Sequence, residues 1–258
     1  MDFLKTHLSS VGKDVHRLGL ATTYGLPIKD LEAALDRGVN YLLWGRHQRG
    51  TVKAYKAALK ARRESLVLAT GPVMGFFGGG VKRGCEAVLK ELDLDYIDVF
   101  QLFWVGVGAA LTDGTLDALQ ELRAEGKVRA IAISIHDRER AGRLAADSPL
   151  DVLMIRYNAA HPGAERDIFP HLAEGKQIVS YTATRWGKLL KRPRGWDGPV
   201  PTAGDCYRFA LTSPHVSVCL SGPATLAQLD ENLAALKKGP LSDEEMAWMR
   251  EFGKVVHG

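Results

Sequence analysis

The sequence predicts an α/β fold, a (β/α)8 TIM barrel with one additional C-terminal helix, with residues 1–258 forming one domain. Three observations predict it. Short, apolar, β-branched runs alternate with longer segments of helical period, an order that calls for parallel strands joined by crossover helices. The alternation repeats eight times. Its length of 258 residues also suits a closed barrel of this kind.

The first strand is expected at 17–22, where R-L-G-L-A-T is compact and apolar, and the second at 40–44, N-Y-L-L-W. The others are expected at 65–70, 96–103, 128–134, 151–156, 177–181 and 216–220. Each reads as a nearly continuous apolar run, as strands covered on both faces do. The intervening helices are expected at 29–37, 51–62, 81–92, 113–125, 138–147, 164–174, 202–212 and 226–237. The fourth shows the pattern well: Leu116, Ala118, Leu119 and Leu122 fall on one face, and Gly126 stands where the helix should stop. A ninth helix is expected over 243–256, with Ser242 as N-cap and Glu245 as its capping-box partner. Two segments read as irregular: the glycine-rich 75–80, expected to be a mobile loop, and the proline-bearing 191–201, expected over the barrel mouth.

Composition narrows function. The chain has 46% hydrophobic and 25% charged residues, so a packed core is available. Its 34 Lys and Arg against 30 Asp and Glu leave a net charge of +4, without a basic block or nucleic-acid-binding motif. No run is long and apolar enough for a membrane span or a secretory signal, and no nucleic-acid or membrane partner is expected. Cys85, Cys206 and Cys219 are far apart and lack metal-ligand spacing, so no metal is expected and a reducing cytoplasm is the simplest location. An anionic small-molecule substrate is compatible with the charge; the oligomeric state is not legible.

In such a barrel the loops at the carboxyl ends of the strands build the active site. Those ends carry Trp44, Arg46, His47, Gln48 and Arg49; Trp104; His136; Arg156, Asn158 and His161; and Arg185 and Trp186. This mouth is cationic and aromatic. Guanidinium groups suit carboxylate or phosphate, and histidines suit acid–base chemistry. Trp44, Trp104, His136, Asn158, His161 and Arg185 are therefore candidate substrate contacts. The segment from Ser221 and Gly222 to Thr225 leads from the eighth strand into a helix and is a candidate phosphate site.

Four segments then carry a family resemblance: A-A-L-D-R-G-V-N-Y at 33–41, L-D-L-D-Y-I-D-V-F-Q-L-F-W at 92–104, G-K-V-R-A-I-A-I-S at 126–134, and 221–232 followed by Leu241 and Ser242. With them the chain resembles the aldo/keto reductase superfamily from about Leu18 to the last helix. The resemblance implies the barrel and an NAD(P)-dependent oxidoreductase acting on a carbonyl compound. It also implies a catalytic Asp, Tyr, Lys and His. In this sequence those positions fall on Leu43, on Gln48 or Arg49, on Gly71 and on Phe103, so the chain is expected to be a divergent member lacking the tetrad. His47, Arg46 or Tyr24 is then the expected substitute for the acid.

On the cofactor side the resemblance assigns Ser134 to the nicotinamide carboxamide and Tyr181 to its ring, with Ser221, Gly222, Thr225, Gln228, Glu231 and Asn232 in the carboxyl-terminal cofactor segment. The positions that clasp the 2′-phosphate of NADPH fall on Ala224 and Asp230, so the clamp is expected to be absent and NADH stands beside NADPH as cofactor. Two other readings remain open: a non-redox enzyme using the cationic mouth on an anionic substrate, and a binding or regulatory protein without catalysis.

Overall fold

The computed structural model describes residues 2–22 and 24–257, apart from the side chain of Arg49. Eight parallel strands close into a barrel: β3 (Leu18–Ala21), β4 (Tyr41–Leu43), β5 (Val67–Thr70), β6 (Ile97–Val105), β7 (Val128–Ile135), β8 (Val152–Arg156), β9 (Gln177–Tyr181) and β10 (Val216–Ser221), the last pairing with β3. The strands lie within two residues of their expected limits. Side chains alternate between two apolar layers. Val152 and Met154 join the barrel interior with Val67, Val99, Ala130 and Val218, while Leu153 and Ile155 face the surrounding helices.

Those helices are α1 (Leu31–Asp36), α2 (Val52–Arg62), α3 (Gly78–Leu92), α4 (Asp113–Ala124), α5 (Arg138–Ala146), α6 (Ala164–Asp167), α7 (Ala203–Thr212), α8 (Leu226–Leu236) and α9 (Asp243–His257). Gly126 takes φ +73° after α4, and Ser242 and Glu245 cap α9 reciprocally, both as expected. Three expectations are corrected. Residues 78–80 are the first turn of α3 rather than a mobile loop: a side chain on Gly78 would strike the carbonyl of Gly114 at 2.4 Å, so the glycine permits close approach to α4. The helix expected over 164–174 stops at Asp167 and resumes only as a 3-10 turn, Phe169–His171, because Pro170 disfavours helical geometry at the residue before it. Segment 191–201 packs against α9 and contributes no residue to the lining of the mouth cavity. Trp196 meets Phe252 of α9 edge-on, and Trp248 of α9 donates to the Pro199 carbonyl.

An antiparallel hairpin that the sequence reading did not anticipate, β1 (Lys5–Leu8) with β2 (Lys13–His16), covers the amino-terminal end of the barrel. Its Leu8, Val11 and Val15 complete the interior layer. Lys13 is buried and donates at 2.8 Å to the carbonyls of Arg63 and Leu66 and to Asp98 Oδ1. Ser10 and Gln177, at the start of β9, share a 3.0 Å hydrogen bond. Four-residue strands are too short for an alternation to stand out in a sequence.

Candidate active site

At the opposite end the strand termini enclose a cavity of about 660 Å3. Leu43, Gly71, Phe103, Ser134, Met154 and Tyr181 line it from successive strands and the loops that follow them, and Tyr207 enters from α7. Among the described residues no Asp, Glu or Lys lines it. Four non-glycine residues at this end, Trp104, Thr182, Arg185 and Trp186, have φ between +50° and +57°. Such conformations are costly for side-chain-bearing residues and cluster where a site demands a particular backbone.

Gly71 and Phe103 stand together. A Cβ on Gly71 would lie 2.0 Å from the Gln101 carbonyl oxygen and 2.9 Å from the Phe103 ring, so the Phe103 side chain and the strand beside it fill the room a longer residue would need. Next to them, Ser134 Oγ accepts a 2.6 Å hydrogen bond from the Trp104 amide. Its own O–H has no acceptor among the described residues. The Tyr181 phenol lies 3.0 Å from Nε2 of His136, whose ring it meets edge-on. Burial pushes the Tyr181 phenol up to about 12, and burial with the charge of Arg156 pushes His136 below the usual histidine range. At neutral pH the pair is a phenol against a neutral imidazole.

The expected acid candidates differ in their surroundings. Arg46 donates at 2.7 Å to Glu91 of α3 and is neutralised there. His47 is exposed at the rim with its ring over Gly45, where an added Cβ would fall 2.4 Å away. Tyr24 leans edge-on against Trp186 at 5.3 Å. All three line the cavity.

Of the expected substrate contacts, Trp104 and His136 line the cavity with exposed faces. Trp44 also borders it, yet its side chain is fully buried, packed on Tyr55 and donating at 2.9 Å to Thr51 Oγ1. Asn158, His161 and Arg185 lie outside the lining. Asn158 donates to the Thr182 carbonyl and accepts from the His161 amide, bracing the turn that follows β8. Arg185 donates to the carbonyls of Val256 and His257, the open C-terminal end of α9, where a cation is favoured. His161 stacks edge-on against His257, and burial with nearby arginines lowers it to about 4.

On the cofactor side, Ser221 and Gly222 reach the cavity rim, but the Ser221 hydroxyl is spent on the Gly19 carbonyl at 2.8 Å. Thr225 caps α8 by accepting from the Gln228 amide, and Gln228 Oε1 accepts from Ala224, so these groups hold each other. Glu231 is exposed and Asn232 buried on the same helix. Asp230 is gripped through both oxygens by Arg37, at 2.5 and 3.0 Å.

Residue types favoured Arg46 and Arg185 among the mouth arginines, and they left Arg156 and Tyr207 out of the candidate set. The alternation of β8 contains the missing signal. Val152 and Met154 point inward, so Arg156, two residues on, does too. For Tyr207, which arrives from a helix, no comparable signal exists.

Residues 26–203 match the model of the Aldo/keto reductase family. The chain is 30% identical to the methylglyoxal reductase YeaE of Escherichia coli (strain K12) over 214 residues, 78% of this chain and 74% of the relative. It is 24% identical to the NADH-specific methylglyoxal reductase of the same organism over 212 residues, 68% of this chain and 65% of the relative. The chain spans less than two thirds of the length of three of the curated relatives it matches. Its fold superposes on the holo form of aldo-keto reductase AKR11C1 from Bacillus halodurans with a TM-score of 0.79 at 22% identity, covering 96% of this chain and 95% of that one.

Proposed function

The chain belongs to the aldo/keto reductase family, and from that premise we propose that it is an NADH-dependent oxidoreductase of small carbonyl compounds in which His47 takes over the acid role. The observation that carries the reading is the meeting of Ser134, Tyr181, Gly222 and His47 around one cavity. The nicotinamide end fits: the unspent Ser134 hydroxyl can donate to a carboxamide, and Tyr181 offers an aromatic face beside it. The adenine end fits a dinucleotide without a 2′-phosphate, because Arg37, the nearest cation to Asp230, already has its fork filled by that carboxylate. A reduced nicotinamide, when bound, supplies the hydride.

The chain itself must orient the carbonyl, exclude water and give a proton to the developing alkoxide. Leu43, Gly71 and Phe103 offer no proton at the positions where the family keeps ionisable residues. Arg46 is held by Glu91, and the Tyr181 phenol is engaged by His136. His47 has a titratable ring in the lining and, among the described residues, no hydrogen-bond partner, which supports its selection over Arg46.

Calorimetric titration with NADH and NADPH, followed by turnover of methylglyoxal as a probe carbonyl, tests this. NADH should bind at micromolar concentration and NADPH about tenfold more weakly. His47→Gln should lower kcat roughly 100-fold or more, the usual scale for general acid catalysis, without changing NADH affinity. Absence of NADH binding at millimolar concentration would overturn the proposal. A second reading, a protein that binds its ligand without turning it over, draws on the Gly71 and Phe103 packing; tight NADH binding with no turnover of any carbonyl would select it.

A further inference from the structure

We propose that the cavity selects ligands carrying a carboxylate on an apolar body, oxo acids with an aryl or long alkyl side chain, and that Arg156 is the residue that holds the carboxylate. The term oxo rests on the reductase reading above; the recognition of the carboxylate does not. Arg46, Arg138, Arg156 and Arg185 stand near the mouth. Arg46 is paired with Glu91 at 2.7 Å, Arg138 with Asp167 at 2.8 Å, and Arg185 with the final carbonyls of α9. Arg156 alone of these has neither a carboxylate nor a hydrogen-bond acceptor among the described residues, and it lines the cavity.

Its position is fixed by the barrel. Arg156 ends β8 in register with Tyr181 of β9, and its side chain follows Val152 and Met154 on the inward face. A half-buried guanidinium beside phenol and imidazole, with no acidic residue in the wall, leaves a positive field that only solvent or a ligand can balance. Burial and then this charge lower both His136 and His161. A planar carboxylate is the natural match for the guanidinium fork, and a desolvated pair gains more than an exposed one. The remaining wall is apolar and aromatic, with Val73, Phe103, Trp104 and Trp186 offering faces to a ligand's hydrocarbon part. A dicarboxylate or a phosphosugar would find no second unpaired cation among the described lining residues.

Phenylpyruvate and phenylacetone share the benzyl ketone skeleton and differ in a carboxylate that replaces a methyl group, so calorimetric titration of each into the full chain isolates the charge. Phenylpyruvate should bind at least tenfold more tightly. Arg156→Gln should bring it down to the affinity of phenylacetone, which itself should change less than twofold. Arg156→Lys, which keeps the charge but not the fork, should retain part of the preference and guards against a folding defect in the first variant, with melting curves recorded for both. Equal binding of the two ligands to the parent protein, no binding of either at about 10 mM, or a preference that survives in folded Arg156→Gln would overturn the proposal. If phenylpyruvate binds as described but is never reduced in the presence of NADH, the reductase reading fails and the carboxylate site stands.

Discussion

Gly71 shows how tightly packing can fix a single position. Its Cα faces the Gln101 carbonyl so closely that even a methyl group would overlap it, and Phe103 fills the adjoining space. Gly71→Ala should therefore destabilise the protein by about 1–3 kcal/mol, the usual cost of overpacking, readable as a lower urea midpoint with an unchanged slope. An unaltered midpoint would mean that the β5 terminus yields freely. The residue types at these positions were legible in the sequence, which placed Gly71 and Phe103 where the family resemblance implies a lysine and a histidine. Their mutual packing was not, since it depends on the contact of two strands. The same holds for the arginines: Arg46 meets Glu91 and Arg185 meets α9, partners far away in the chain, so residue types alone favoured these two over Arg156.

Among the elements, α9 depends on its last turn. Arg185 supplies a cation and hydrogen bonds to the Val256 and His257 carbonyls, and His257 reaches the Ala160 carbonyl at 2.7 Å. Arg185→Ala should cost about 1 kcal/mol through the lost helix-end interaction, visible in thermal denaturation. His161 nearby adds a pH dependence. Folded, it holds a proton only below about 4, whereas unfolded it does so below 6.5, because burial and then Arg156, Arg185 and His257 oppose its charge. Between those values the unfolded chain binds the extra proton, so this contribution to stability is complete above pH 6.5 and is lost as pH falls toward 4. His161→Gln should flatten that part of a melting-temperature profile recorded from pH 7 to 4. Most elements were legible because apolar runs and helical faces are local. The exceptions have local causes as well: three glycines disguise the start of α3, Pro170 cuts α6 short, and each strand of the hairpin has only four residues.

At the scale of the molecule, the alternation of strands and helices was enough to imply a closed barrel, because eight such units leave few other ways to bury their apolar faces. What it could not reveal was how the amino-terminal end is finished. Lys13 ties the hairpin to β6 through Asp98, which Arg63 also binds at 2.7 Å. Lys13→Ala should cost roughly 3 kcal/mol, the lower part of the range for breaking a buried pair, since Arg63 still compensates Asp98; urea unfolding would measure it. The hairpin also governs traffic. With Leu8, Val11 and Val15 set into the floor, the described residues leave the vessel a door at the end where Trp104 and Trp186 stand. Under the proposed reading, a small acid lodged at that door would slow the escape of a dinucleotide seated deeper in the cavity.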